Sequence, residues 1–523
     1  MKFNNETIRY AVKEWLENEE LVETKYGHIS SWDTSGVTDM SNMFKYAESF
    51  NQPLNDWDVS NVTDMNAMFS LVSSFNQPLN DWDVSNVTNM NGMFYEATSF
   101  NQPLNDWDVS NVTDMNDMFK GASSFNQPLN DWDVSNVTQM SSMFSEASSF
   151  NQIIGDWDVS NVNYMNEMFS EASSFNQPLN DWDVSNVTNM SLMFSIAKSF
   201  NQPLNDWDVS SVTGMNWMFR YASSFNQPLN DWDVSNVTDM NAMFSLVSSF
   251  NQPLNDWDVS NVTNMNGMFY EATSFNQPLN DWDVSNVTDM NDMFKGASSF
   301  NQPLNDWDVS NVTQMSSMFS EASSFNQIIG DWDVSNVNYM NEMFSEASSF
   351  NQPLNDWDVS NVTNMKNIFS GAESFNQNTN KWKINSLKDN DTNIGENVEE
   401  ADLEINLMYE GTLFTYINDN EEEMTFKAFR LVVECPDADD YEWEVKDALG
   451  ELVFTTKGDS KETYLITDLP EDIVDYQFTN SVGNLHDEAL NSIEEAVDII
   501  KNLKTISFKE INPKDGESIC YID

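Results

Sequence analysis

Carboxylates are the most abundant reactive side chains in this sequence, and they come in columns. Asp56, Asp81 and Asp106 recur every 25 residues, and Asp58, Asp83 and Asp108 follow them two residues on. With Asp33 counted, the two columns hold 27 aspartates. Alternate residues of a strand share a face, so both columns would line one surface. Neighbours near 5 Å repel by about 0.8 kcal/mol per pair in bulk water. Two chemistries fit. A hard cation could bridge successive rows, Ca²⁺ first because it takes many oxygen ligands flexibly. Alternatively, the columns form a solvated acidic edge that keeps strands from sticking and needs no cofactor. The 30 methionines raise soft-metal binding. Their recurrence where an apolar face turns inward reads as core instead.

Catalytic chemistry finds little to work with. There are 2 His and 2 Cys in 523 residues, too few cysteines for a disulfide framework. No nucleophile-elbow, phosphate-loop, HExxH, GxGxxG or CxxC motif is present. His28 and His486 have no sequence neighbour that would make either a ligand or a base. No residue is assigned a catalytic role, and the chain reads as a non-enzyme. The formal net charge of −63 repels phosphate backbones and anionic membranes, which leaves proteins and cations as partners. With no run of 18 apolar residues, membrane insertion is not expected. The first residues carry no secretory signal pattern. These features predict a cytoplasmic or virion-associated protein, with surface display by a non-classical route as the alternative.

The columns must be positioned by a repeat. Fifteen tryptophans, Trp32 to Trp382, are spaced at 25 residues, and only Trp15, Trp217 and Trp443 stand outside the series. Such a period implies units that cannot bury their own apolar face and stack on their neighbours. Thirteen full units run from Phe50 to Ser374, the first reading FNQPLNDWDVSNVTDMNAMFSLVSS. Leu54 to Val59 alternates like a half-buried strand, with Trp57 and Val59 inward and Asp56 and Asp58 outward. Asn61 suits an amide ladder at the corner. Thr63 reads as an N-cap, and Met65, Met68, Phe69 and Val72 fall at i, i+3, i+4 and i+7 of a short helix. The predicted fold is an α/β solenoid, each coil one short parallel strand and one short helix. Fifteen coils would make a rod of roughly 70 Å.

The run WDVSNVTDMNAMF followed by SFNQPLNDWDVS resembles the BspA-like leucine-rich-repeat surface proteins, whose bacterial repeat of about 26 residues occurs in Listeria, Mycoplasma, protists and large DNA viruses. The opening, Val12 to Leu16 and Tyr26 to Asp33, is similar to the start of family members without a lipoprotein signal. The resemblance covers about residues 5 to 387. It implies a leucine-rich-repeat-like solenoid and, in bacteria, surface display and adhesion.

The remaining organisation follows composition. Residues 1–25 form a helical N-terminal cap with Ile8, Ala11, Val12, Trp15 and Leu16 on its apolar stripe. The solenoid spans 26–387, a polar linker 388–401, and a β-rich domain 402–523. Seven strand patterns between Leu403 and Thr479 predict an Ig-like sandwich, with an α+β domain as the alternative because a helix pattern follows at Glu488 to Leu503. Cys435 and Cys520 could pair or stay free.

Unit-to-unit comparison locates the candidate contact site. The core columns barely change, whereas positions such as Asp64, Ala67, Ser70 and Leu71 vary and are expected to face solvent. Residues 50 to 190 are identical to 225 to 365. Between the copies, Leu192, Ile196, Trp217, Tyr221 and Leu246 are predicted to form one exposed apolar patch bordered by Arg220. Its composition suits a protein partner or self-association. The function so read is a non-catalytic repeat scaffold for protein contact or attachment within a particle or surface assembly; a Ca²⁺-dependent adhesion rod is the alternative.

Overall fold

The computed structural model describes residues 2–379 and Trp382 in full, and beyond them the backbone of strands between 404 and 522. The chain divides into two compact units, Met1–Val398 and Glu399–Asp523.

In the first unit, alternate backbone N–H groups of each repeat donate to the next repeat. Met65, Ala67, Phe69 and Leu71 donate to the carbonyls of Asn89, Asn91, Met93 and Tyr95 at 2.7–2.9 Å. The intervening Met68, Ser70 and Val72 donate back three residues, to Met65, Ala67 and Phe69. Isolated parallel bridges tie Asp39, Asp64, Asn89 and Asp114 in sequence, and the series continues to Asn364.

This segment is the one whose spacing predicts a helix, and no helix forms there. Positive φ falls at Ala67 (50°) and Leu71 (61°), four residues apart, and at the corresponding residues of later repeats. The same apolar set, Met65, Met68, Phe69 and Val72, is buried either way. A helix would use up its N–H groups internally, whereas a backbone that turns left-handed every fourth residue frees alternate N–H groups to bond a neighbour with the same shape. Thr63 is accordingly not an N-cap: its N–H and hydroxyl both donate to the Thr38 carbonyl.

The predicted strand Leu54 to Val59 is likewise absent. Trp57 N–H closes a turn on the Leu54 carbonyl, and the links between repeats run through side chains. The Trp82 indole donates to the Leu54 carbonyl at 2.9 Å, and the Asn86 amide to the Ser60 carbonyl at 2.8 Å. Asn76 Oδ1 accepts from the Asn101 N–H and the Gln102 amide. The near-invariant FNQ, W and SN of the repeat thus act as side-chain rungs where backbone rungs are missing. The core is columnar: Trp132 and Trp157 stack at 6.3 Å with 4° between planes, and Phe119 lies 4.1 Å from Phe125 and 5.7 Å from Phe144.

The first repeat has no predecessor, and the N-terminal cap supplies the missing partners. It is two helices, α1 (Asn5–Glu17) and α2 (Glu19–Tyr26), where one was expected. Asn18 ends the first and caps the second, its side chain accepting from the Leu21 N–H. Ile8, Ala11, Val12 and Trp15 are buried as expected, while Leu16 is exposed. Asn5 Oδ1 accepts from the Thr38 N–H at 2.8 Å. The Arg9 guanidinium donates to the Ser41 carbonyl and to the Asp39 carboxylate. His28 has a structural place: its Nδ1 lies 2.8 Å from the Ser30 hydroxyl, and its ring meets Trp15 edge-on at 5.4 Å.

The second unit contains eleven strands among its described residues: β1 (Glu404–Met408), β2 (Leu413–Ile417), β3 (Glu423–Lys427), β4 (Arg430–Glu434), β5 (Asp440–Asp447), β6 (Leu452–Asp459), β7 (Thr463–Tyr464), β8 (Tyr476–Phe478), β9 (Leu485–His486), β10 (Ile506–Glu510) and β11 (Ile519–Ile522). All pairings are antiparallel. They form three sheets, ordered β1-β4-β7, β2-β3-β9 and β11-β10-β5-β6, with β8 also on β5. A two-sheet sandwich would give two. The predicted single strand from Thr425 to Val433 is divided between β3 and β4. The predicted helix at Glu488 to Leu503 and the pairing of Cys435 lie outside the described residues.

Candidate functional site

Each repeat presents two left-handed positions, and these are two of its four most variable columns. One column runs Ala67, Gly92, Asp117, Ser142, Glu167, Leu192, Trp217 and Ala242; the other runs Leu71, Glu96, Gly121, Glu146, Glu171, Ile196, Tyr221 and Leu246. Left-handed backbone costs an L-residue on the order of 1–2 kcal/mol and favours glycine. Gly121 shows what the site prefers: its φ is +70°, and an added Cβ would sit 2.7 Å from the Glu96 carboxyl carbon. Bulky residues here are therefore held against local preference by the ladder.

The six predicted contact residues come together on three successive repeats. Leu192, Ile196, Trp217, Tyr221 and Leu246 all have φ between 59° and 61°. Their N–H groups donate to Asn216, Arg220, Asn241, Ser245 and Tyr270 at 2.6–3.0 Å, which locks the register. Trp217 and Tyr221 are 39% and 38% exposed, the others half-buried. The Arg220 guanidinium lies 4.9 Å from the centre of the Tyr221 ring, a cation–π contact at the border of the patch. The predicted placement on adjacent helices is replaced by placement on adjacent left-handed turns; the residues brought together are unchanged.

Not every variable position faces solvent. Ser70 and Ala67 are buried, contrary to expectation, because the carbonyl-bonded turn tucks small residues against the next repeat. Where that position holds a long side chain, as at Lys120, it reaches outward and pairs with Glu167 at 3.6 Å.

The aspartate columns are exposed on both counts, at Asp56, Asp81 and Asp106 and at Asp58, Asp83 and Asp108. The second column caps local turns: Asp58, Asp83 and Asp108 each accept from the N–H and the hydroxyl of the serine two residues on, at 3.1 and 2.6 Å. In Asp133, Asp208, Asp258 and Asp308 the following serine's hydroxyl and amide hold the carboxyl below the usual range. Asp81 accepts from the Asn55 and Asn80 amides at 2.5 and 2.8 Å. Among the described residues no three His, Cys, Asp or Glu side chains group as metal ligands.

Two features escaped sequence reasoning. Burial pushes the carboxyls of Asp117 and Asp292 above the usual range, even with Lys120 and Lys295 beside them. Tyr46, 68% exposed with Lys45 5.3 Å from its ring centre, occupies the position of Tyr221 one copied block earlier, and Leu71 occupies that of Leu246. The glycines scattered through the two columns were the available signal for left-handed backbone.

Among the described residues no helix is long and apolar enough to cross a membrane. A family model described as Mycoplasma protein of unknown function, DUF285, matches residues 12–132, 123–229, 202–307 and 297–404. Neither a curated protein nor a solved structure matches the chain.

Proposed function

The chain belongs to that Mycoplasma family, and from this premise we propose that it is a non-catalytic repeat scaffold of the BspA-like, leucine-rich-repeat type, a solenoid that holds a protein partner on its variable face. The patch of Leu192, Ile196, Trp217, Tyr221 and Leu246 carries the reading. Exposed Trp and Tyr with a bordering Arg are the side chains that contribute most at protein contacts. Here they stand at the two left-handed positions that every repeat presents and whose residue type changes from repeat to repeat. Along the two left-handed columns the neighbouring repeats carry mostly acidic or small residues, which sets this run of large apolar side chains apart.

The test is partner capture from source-cell lysate with the full chain and with Trp217→Ala/Tyr221→Gly. Both replacements are residues that the same columns already hold, at Ala242 and Gly296, so folding is preserved. A protein retained by the parent and lost by the variant is expected. Identical capture by both would remove the patch as the contact site.

A further inference from the structure

The patch is bracketed by acids along its own column. The second left-handed column reads Glu171, Ile196, Tyr221, Leu246, Glu271 on five successive repeats. Both glutamates are exposed; Glu146 adjoins Glu171 on the preceding repeat, and Glu321 stands two repeats past Glu271, beyond Gly296. At about 4.8 Å per repeat, Glu171 and Glu271 stand roughly 19 Å apart with three apolar side chains between them. In the parallel column Leu192 and Trp217 widen the apolar stretch, while Ala242 and Gly267 are buried. Three cations lie nearby: Arg220 over the Tyr221 ring, Lys198 two residues past Ile196, and Lys295, whose carbonyl accepts from the Glu271 N–H and whose ammonium is engaged by Asp292 at 3.9 Å.

Resting on the contact-site reading above, we infer that the occupant is a polypeptide segment with an apolar centre and a basic residue at each end, lying along the column so that its two cations meet Glu171 and Glu271. A second copy of this chain is disfavoured by charge, since each copy carries −63. An extended segment rises about 3.3 Å per residue and keeps alternate residues on one face. Cations at positions 1 and 7, with apolar residues at 3 and 5, therefore match the spacing. One such segment binds per chain. The earlier counterpart built from Tyr46 and Leu71 has Asn42 in place of Trp217 and α1 in place of the preceding repeats, so it offers half of the surface and one acidic end.

The probe is a fluorescent peptide, Lys-Thr-Leu-Thr-Phe-Thr-Lys, titrated against the full chain in 0.15 M salt. Controls are a version with glutamate at both ends and one with the two lysines adjacent. Expected results are a stoichiometry of one and weakening by about thirtyfold in Trp217→Ala/Tyr221→Gly. Glu171→Gln/Glu271→Gln should weaken binding by roughly three- to fivefold per residue, and Tyr46→Ala should leave it unchanged. If the glutamine variant binds like the parent while the aromatic variant does not, the basic-ended occupant is overturned and the contact site stands. Several peptides per chain, indifferent to either variant, would mean general attraction to an acidic surface and would overturn the inference. So would a concentration-dependent dimer, seen by sedimentation and abolished by Trp217→Ala/Tyr221→Gly, because the occupant would then be a second copy.

Discussion

Replacing Trp157 by phenylalanine tests how the repeats are joined. Trp157 is 3% exposed, and its indole N–H donates 3.0 Å to the Leu129 carbonyl, 28 residues earlier. Phenylalanine keeps the stacking column but removes the donor, leaving a buried carbonyl unpaired at about 1–3 kcal/mol. The lost ring atoms remove about two methylene equivalents of burial, roughly 1.6 kcal/mol. The expected cost is therefore about 2.5–4.5 kcal/mol at that junction. Stacked repeats couple mainly to their neighbours, so a single global transition is not the right readout. Amide exchange by mass spectrometry reports each junction. Protection should fall in the ladder residues on either side of Trp157 and stay unchanged three or more repeats away. Trp332, whose indole donates to the Leu304 carbonyl at the same 3.0 Å in the copied block, gives an independent duplicate. A loss below about 1 kcal/mol would refute the role given to the indole, and a uniform loss across all repeats would refute nearest-neighbour coupling.

Other outcomes follow from the same contacts. Arg9→Met should cost about 1–2 kcal/mol at the N-terminal end, read as faster amide exchange in residues 39–46, because the half-exposed guanidinium's four hydrogen bonds to Asp39 and Ser41 disappear. Asp117→Asn should raise stability at pH 7. Its folded carboxyl sits above the ordinary value, so the native state holds the proton longer than the unfolded chain, and stability falls as pH rises between the two pKa values. The gain should fade below the unfolded aspartate pKa of about 3.9, checked by amide exchange of the ladder residues around Asp117 across pH. Exchanging EDTA for millimolar Ca²⁺ at fixed ionic strength should leave amide exchange across the repeats unchanged, because serine and asparagine donors already engage the aspartate columns; added protection of about 1 kcal/mol or more along the repeats would instead indicate cation bridging.

Much of the architecture is legible in the sequence because burial repeats with the period. Trp57, Val59, Met65, Met68, Phe69 and Val72 are all buried as read, and Asp56 and Asp58 face outward. The Asn61 amide does link repeats, donating to the Ser35 carbonyl at 3.1 Å. Local backbone was the part misread. An i, i+3, i+4, i+7 spacing reports which side chains share a face, and a helix and an alternating-handed turn satisfy it equally. Only the glycines at 92, 121, 267, 296 and 371 distinguish them, since they occur where φ is positive. The six residues proposed for the contact stand out in the sequence because they depart from their columns by type. Its acidic brackets were not, because ordinary glutamates acquire that meaning only once the column direction is known.

The rungs also set how this molecule answers force. Their N–H···O bonds run from one repeat to the next, along the stacking direction, so a pull on the two ends loads them one junction at a time. Each repeat that lets go releases 25 residues, about 85 Å of slack, against the few ångströms it occupied when stacked. Tension along the stacked repeats would therefore be absorbed by peeling, one repeat at a time.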